Sequence, residues 1–160
     1  MISQSRLQEL LSYDPDTGIF RWLPGTKLAG AIAGSRAVLG YWVIGVADKS
    51  YKAHRLAHLY MTGAFPTDQI DHINGNREDN RWVNLRPATN TENARNASVG
   101  KNNTSGFKGV SYHKDTGKYQ ARIMVDRQLI HLGIYDTAED AHAVYSAAAK
   151  DLHGKFARVS

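Results

Sequence analysis

Residues 70–96 read IDHINGNREDNRWVNLRPATNTENARN, and the organisation of the whole chain turns on this stretch. It sets Asp71 and His72 ahead of a run of asparagines at positions 74, 76, 80, 84, 90, 93 and 96. An asparagine amide competes with the backbone for hydrogen bonds and is disfavoured inside helices and strands. Such a density points to built loops and held ligands rather than to packing. Asp71 offers a hard oxygen ligand, and His72 a base that titrates near neutral pH. Together they are the minimum set for metal-assisted hydrolysis of a phosphodiester.

The stretch reads as strand, loop, strand, helix. Asp71-His72 closes a short strand, Gly75 to Arg81 forms a polar loop, and Trp82 to Arg86 a second strand. Thr89-Asn-Thr-Glu92 fits a capping box, which predicts a helix from there to about Ser98 with Asn93 in its first turns. Before the stretch, His54 to Met61 is an apolar helix ended by Gly63 and Pro66. Its His54 and His58 lie one turn apart without a third metal ligand, so packing or hydrogen bonding is their expected role. Residues 1–50 form a strand-rich leader behind a short opening helix on which Leu7, Leu10 and Leu11 share a face. Ile19 to Trp22 and Gly40 to Val46 have the aromatic and β-branched content of strands, Tyr13 to Gly18 that of a turn. Trp22, Trp42 and Trp82 are expected in the core.

After the stretch, the small polar residues 99–105 read as a linker. Three strands follow, over Phe107–His113, Tyr119–Val125 and Leu129–Tyr135, with turns at Asp115-Thr-Gly117 and Asp126-Arg127. Thr137 caps a helix whose apolar positions Ala138, Ala141, Val144, Tyr145, Ala148 and Leu152 recur at spacings of three and four until Gly154. Lys118, Gln120 and Arg122 alternate with Tyr119, Ala121 and Ile123, so one sheet face meets the helix and the other stays open. The fold class is α+β.

The 160 residues contain 42% hydrophobic side chains, too many for a disordered chain. With no cysteine, disulfides and thiolate zinc sites are excluded. No stretch approaches membrane-spanning length and no secretory signal opens the chain, which makes a cytoplasmic protein of a bacterial or phage-infected cell the expectation. The net charge of +5 suits a polyanion. Both sides of Gly100 share it, with eleven Lys and Arg against nine Asp and Glu before it and nine against six after it.

Two resemblances follow from these motifs. AHRLAHLY, IDHINGNREDNRWVNLR and TENARN resemble the HNH endonucleases, the ββα-metal nucleases of phages and homing elements. GFKGV, GKYQARI, HLGIYDTAEDAHAVYSAAA and HGKFAR resemble the APETALA2/ethylene-response-factor DNA-binding domain. The implied organisation is a leader (1–50), an HNH nuclease module (51–98), a linker (99–105) and an APETALA2-like domain (106–160), whose three-stranded antiparallel sheet packs on one helix. The first resemblance makes His72 the general base, Asn84 the holder of its ring, and Asp71 and Asn93 the metal ligands. Because Asn93 replaces the last histidine of the family name, the ion implied is Mg²⁺ or Mn²⁺. Arg55, Arg77 and Arg86 are expected at DNA phosphates. The second resemblance places Lys108, Ser111, His113, Lys118, Gln120, Arg122 and His131 on double-stranded DNA. No small-molecule cofactor and no membrane are implied. The rival expectation is a DNA-binding regulator that does not cut.

Overall fold

The computed structural model describes residues 1–100 and 102–159, so Lys101 of the expected linker lies outside the described residues. Its contacts divide the chain into two units, Met1–Asn90 and Thr91–Ser160.

In the first unit, α1 (Gln4–Leu10) starts at Ser3, whose Oγ accepts from the Arg6 N–H. It buries Leu7 and runs straight into β1 (Leu11–Asp14), so Leu11 is a buried strand residue rather than part of the helical face. The hairpin of β1 with β2 (Ile19–Trp22) closes through Gly18, and a second sheet orders β3 (Ser35–Arg36), β4 (Trp42–Val46) and β5 (Lys49–Lys52). Then α2 (Ala53–Thr62) buries His54, Leu56, Ala57 and Leu59 and stops at Gly63 in the left-handed conformation that glycine favours. Strand β6 (Gln69–His72) pairs antiparallel with β7 (Leu85–Ala88), placing His72 opposite Leu85.

One core joins all these elements. Phe20, Leu7, Leu11, Ile44, Leu56, Ile70 and Leu85 belong to it, and Trp22, Trp42 and Trp82 pack against it as expected. The residues expected to form a separate leader are therefore part of the nuclease unit. The Tyr13 hydroxyl donates to the Asn80 carbonyl at 2.7 Å, and the Trp82 N–H to the Pro15 carbonyl at 2.9 Å. Gly18, with φ 73°, lies so close to the Asn80–Arg81 backbone that a Cβ there would overlap it.

The expected strand from Trp82 is instead a 3-10 turn over Trp82–Asn84 followed by β7. Asn84 turns its side chain inward to bond the loop, which leaves Val83 exposed and delays the strand. The helix α3 (Asn90–Arg95) is shorter than expected.

In the second unit, β8 (Val110–His113), β9 (Lys118–Val125) and β10 (Gln128–Tyr135) form an antiparallel sheet with β9 central. The helix α4 (Ala138–His153) begins at Thr137, whose Oγ1 accepts from the Asp140 N–H, and ends at Gly154. Its Ala138, Ala141, Tyr145 and Ala149 are buried with Val110, Ala121 and Ile123. Leu152, expected on that face, is exposed; His153 is buried instead and meets the Met124 carbonyl at 3.0 Å. Asn103 and Ser105 of the expected linker bond the Phe107 and Val110 carbonyls and make an ordered turn into β8.

Candidate active site

Cross-strand pairing sets Asp71 opposite Arg86, and a buried carboxylate needs such a charge partner. Arg86 Nε and Nη2 lie 2.8 and 2.6 Å from Asp71 Oδ2, with the arginine side chain only 14% exposed. Arg86, expected at a phosphate, is thus engaged with Asp71. Arg55 likewise donates to the carbonyls of Asp68 and Pro66, tying α2 to the segment before β6. Arg77 remains exposed, with its guanidinium 4.9 Å above the Tyr41 ring and Nη1 donating to the Leu39 carbonyl.

His72 is 4% exposed, and its Nε2 lies 3.3 Å from Asn80 Oδ1. The tautomer follows from the partner. Asn80 Nδ2 donates to the Glu78 carbonyl at 3.0 Å, which fixes the amide with its oxygen toward His72. That oxygen can only accept, so His72 carries its proton on Nε2 and presents Nδ1 as the basic nitrogen. Burial pulls the His72 pKa below its ordinary value, opposed by the Asn80 bond and the Asp71 charge.

The expectation for Asn84 therefore needs correcting. Its Oδ1 accepts from the Asn74 N–H at 3.0 Å, and its Nδ2 donates to Asn74 Oδ1 and the Asp79 carbonyl. Asn84 shapes the loop, and Asn80 meets the imidazole. The same loop is held by Asp79, whose carboxylate accepts from Asn74 and the Arg81 fork and is pulled down to about 2, chiefly by Arg81.

Two further neighbours of His72 were not visible in the sequence. The His54 ring stands edge-on to it at 4.9 Å between centroids, and Tyr41 lies 6.1 Å away. Burial pushes His54 down to about 3, so it sits beside His72 as a neutral imidazole. A histidine opening an apolar helix was the only available signal. Nothing local links it to position 72.

Asn93 lies on α3, in the second unit. Asp71 and Asn93 offer one carboxylate and one amide oxygen, a hard donor set that fits Mg²⁺ or Mn²⁺. Among the described residues, no three His, Cys, Asp or Glu side chains gather into a cage. Such an ion would complete its shell with water and phosphate oxygens.

The second unit's open face carries most of the expected DNA contacts. Ser111 and Gln120 stand opposite one another, as do Arg122 and His131. Arg122 Nη2 donates to Ser111 Oγ at 3.1 Å, and Gln120 Nε2 is 2.9 Å from His131 Nδ1. At the β8–β9 end, His113 pairs in register with Lys118, which bridges to Asp136. Exposed Met124 and Leu129 face one another at the far end. Lys108 is elsewhere: half-buried, its Nζ donates to the carbonyls of Arg95 and Ala97, each at 2.6 Å.

Comparison with known proteins agrees with this site. The family model for HNH endonucleases matches residues 51–95. Protein 3.8 of Escherichia phage T7 is 35% identical over 89 residues, covering 56% of this chain and 73% of that protein. An uncharacterised HNH endonuclease of Acanthamoeba polyphaga mimivirus is 32% identical over 106 residues, 65% of this chain and 54% of that one. A solved structure titled for DNA binding and cleavage by the HNH homing endonuclease I-HmuI gives a looser likeness, with TM-score 0.45 and 20% identity over 84% of this chain and 76% of that one. With the motif matched along residues 51–95 and most of the phage protein covered at 35% identity, the chain belongs to the HNH endonucleases.

Proposed function

We propose that this endonuclease hydrolyses phosphodiester bonds of double-stranded DNA with a divalent metal ion, and that its C-terminal sheet directs it to its sites. The observation that carries the chemistry is the fixed tautomer of His72 beside Asp71. His72 Nδ1 takes a proton from water, the water oxygen attacks phosphorus, and the bond to the 3′ oxygen breaks. The products are a 5′-phosphate and, once the leaving oxygen takes up a proton, a 3′-hydroxyl. A poised base contributes about 10²–10⁴-fold. Asp71 and Asn93 would hold the ion, which supplies charge stabilisation to the phosphorus centre and the leaving oxygen.

Two features support the targeting role. Polar side chains line the open sheet face at its centre, and the chain is basic. Base edges in the major groove are read by such donors and acceptors. The APETALA2-like reading supports the same docking mode, with Ser111, His113, Lys118, Gln120, Arg122 and His131 toward DNA. At the nuclease unit, Arg77 is the arginine among those expected at phosphate that stays exposed.

The test is conversion of supercoiled plasmid with Mg²⁺ and with EDTA, followed by sequencing of the cut ends. Metal-dependent cutting is expected, with Arg122→Ala redistributing the cut sites. A protein that binds DNA and never cuts with any divalent ion would overturn the reading.

A further inference from the structure

The nuclease motif ends in α3, a helix of six residues with none of them buried. Isolated helices shorter than about 12–15 residues are marginal in water, so this one depends on what is bonded to it. Those bonds come from the C-terminal unit. Lys108 Nζ donates to two carbonyls at the helix's end, those of Arg95 and Ala97. These are groups that a helix leaves unpaired, at its negative pole. Arg95 Nη2 lies 3.3 Å from Asp126 Oδ1 in the turn between β9 and β10. Lys108 is itself fixed. Phe107 stacks on His142 at 4.8 Å, and Gly109, with φ 73°, lies so close under the Tyr145 ring that a Cβ there would overlap it.

We propose that Lys108 is a positioning residue for cleavage: from the C-terminal unit it holds α3, and with it Asn93, in the arrangement that the nuclease chemistry uses. The inference rests on the reading of Asn93 as a metal ligand. It makes the C-terminal unit part of the catalytic apparatus as well as its guide to DNA, and it moves Lys108 from the DNA surface to a helix end.

The test uses the full chain with Lys108→Met, which keeps the aliphatic stem and removes the ammonium. Hydrogen exchange of residues 91–97 without metal or DNA is read beside the single-turnover rate and the DNA dissociation constant. We expect exchange in 91–97 to rise about tenfold, with β8–β10 amides unchanged, and the rate at saturating DNA to fall by a similar factor at unaltered affinity. Lys108→Arg should restore part of both. Weaker DNA binding with a shallower salt dependence, normal exchange in 91–97 and a normal saturated rate would overturn the proposal and make Lys108 a phosphate contact. If Lys108→Met does not fold, Lys108→Gln gives the same readouts, since it keeps a donor without the charge. A wild-type chain that does not cut would sink the nuclease reading, while the exchange measurement would still decide what Lys108 holds.

Discussion

Replacing Asn80 by alanine should slow cleavage without weakening DNA binding. Asn80 Oδ1 is the acceptor that fixes His72 with its proton on Nε2, and the imidazole is 4% exposed. Alanine leaves that buried N–H without its acceptor. An unsatisfied buried donor costs about 1–3 kcal/mol, so the ring spends more time in the other tautomer or turned away. At about 1.36 kcal/mol per tenfold in rate, the loss is roughly 5–150-fold. The assay is single-turnover cleavage of a labelled duplex at saturating protein, with affinity measured separately by anisotropy. Thermal unfolding guards against a collapsed loop, since Asn80 also bonds the Glu78 carbonyl. Asn80→Asp sharpens the test. A carboxylate still accepts from Nε2 and stabilises the charged imidazole, so cutting should persist with its acid limb moved to higher pH. If Asn80→Ala cuts at the wild-type rate, something else orients His72 and the tautomer argument is wrong.

Two more outcomes follow from the same unit. Folding pushes the His54 pKa down to about 3 from an ordinary value of 6.5, so between those values the unfolded state binds more protons and stability falls as pH falls. Urea titrations should show a loss of about 2 kcal/mol by pH 5 from this residue, an effect that His54→Leu flattens; a wild-type chain equally stable at pH 7 and pH 5 would contradict it. Gly18→Ala, forced against the Asn80–Arg81 backbone at a φ of 73°, should destabilise the unit by about 2 kcal/mol or more and slow cleavage with it. Unchanged melting and rate would show that this contact does not bear on the site.

Features set by local pattern were legible in the sequence. Period-two alternation in residues 118–123 placed Lys118, Gln120 and Arg122 away from α4, and the observed burial follows it. Gly63 and Gly154 ended helices where the chain has no other way to turn. Asp71 and His72 stand at the end of a strand, as their place before a run of asparagines implied. What was hidden depends on contacts between distant residues. Asn80 and Asn84 are chemically identical, and only the path of the loop sends one to His72 and the other to Asn74. Arg86 and Lys108 look like DNA-facing cations until their partners, Asp71 and the end of α3, are seen. The expectation that residues 1–100 form a self-sufficient nuclease followed from the polar run after Asn96. The compact division at Asn90 assigns most of α3 to the C-terminal unit, and the sequence has no mark of that because the contacts responsible lie 13 and 31 residues further on.

The central claim is that His72 is the base that activates water. Its most direct test is cleavage of supercoiled plasmid by wild type and His72→Ala, with Mg²⁺ and with saturating protein, and with affinity measured on the same DNA. The account predicts that His72→Ala binds as tightly as wild type and cuts no faster than the EDTA control. Metal-dependent cutting by a clean His72→Ala preparation at a rate near that of wild type would contradict it.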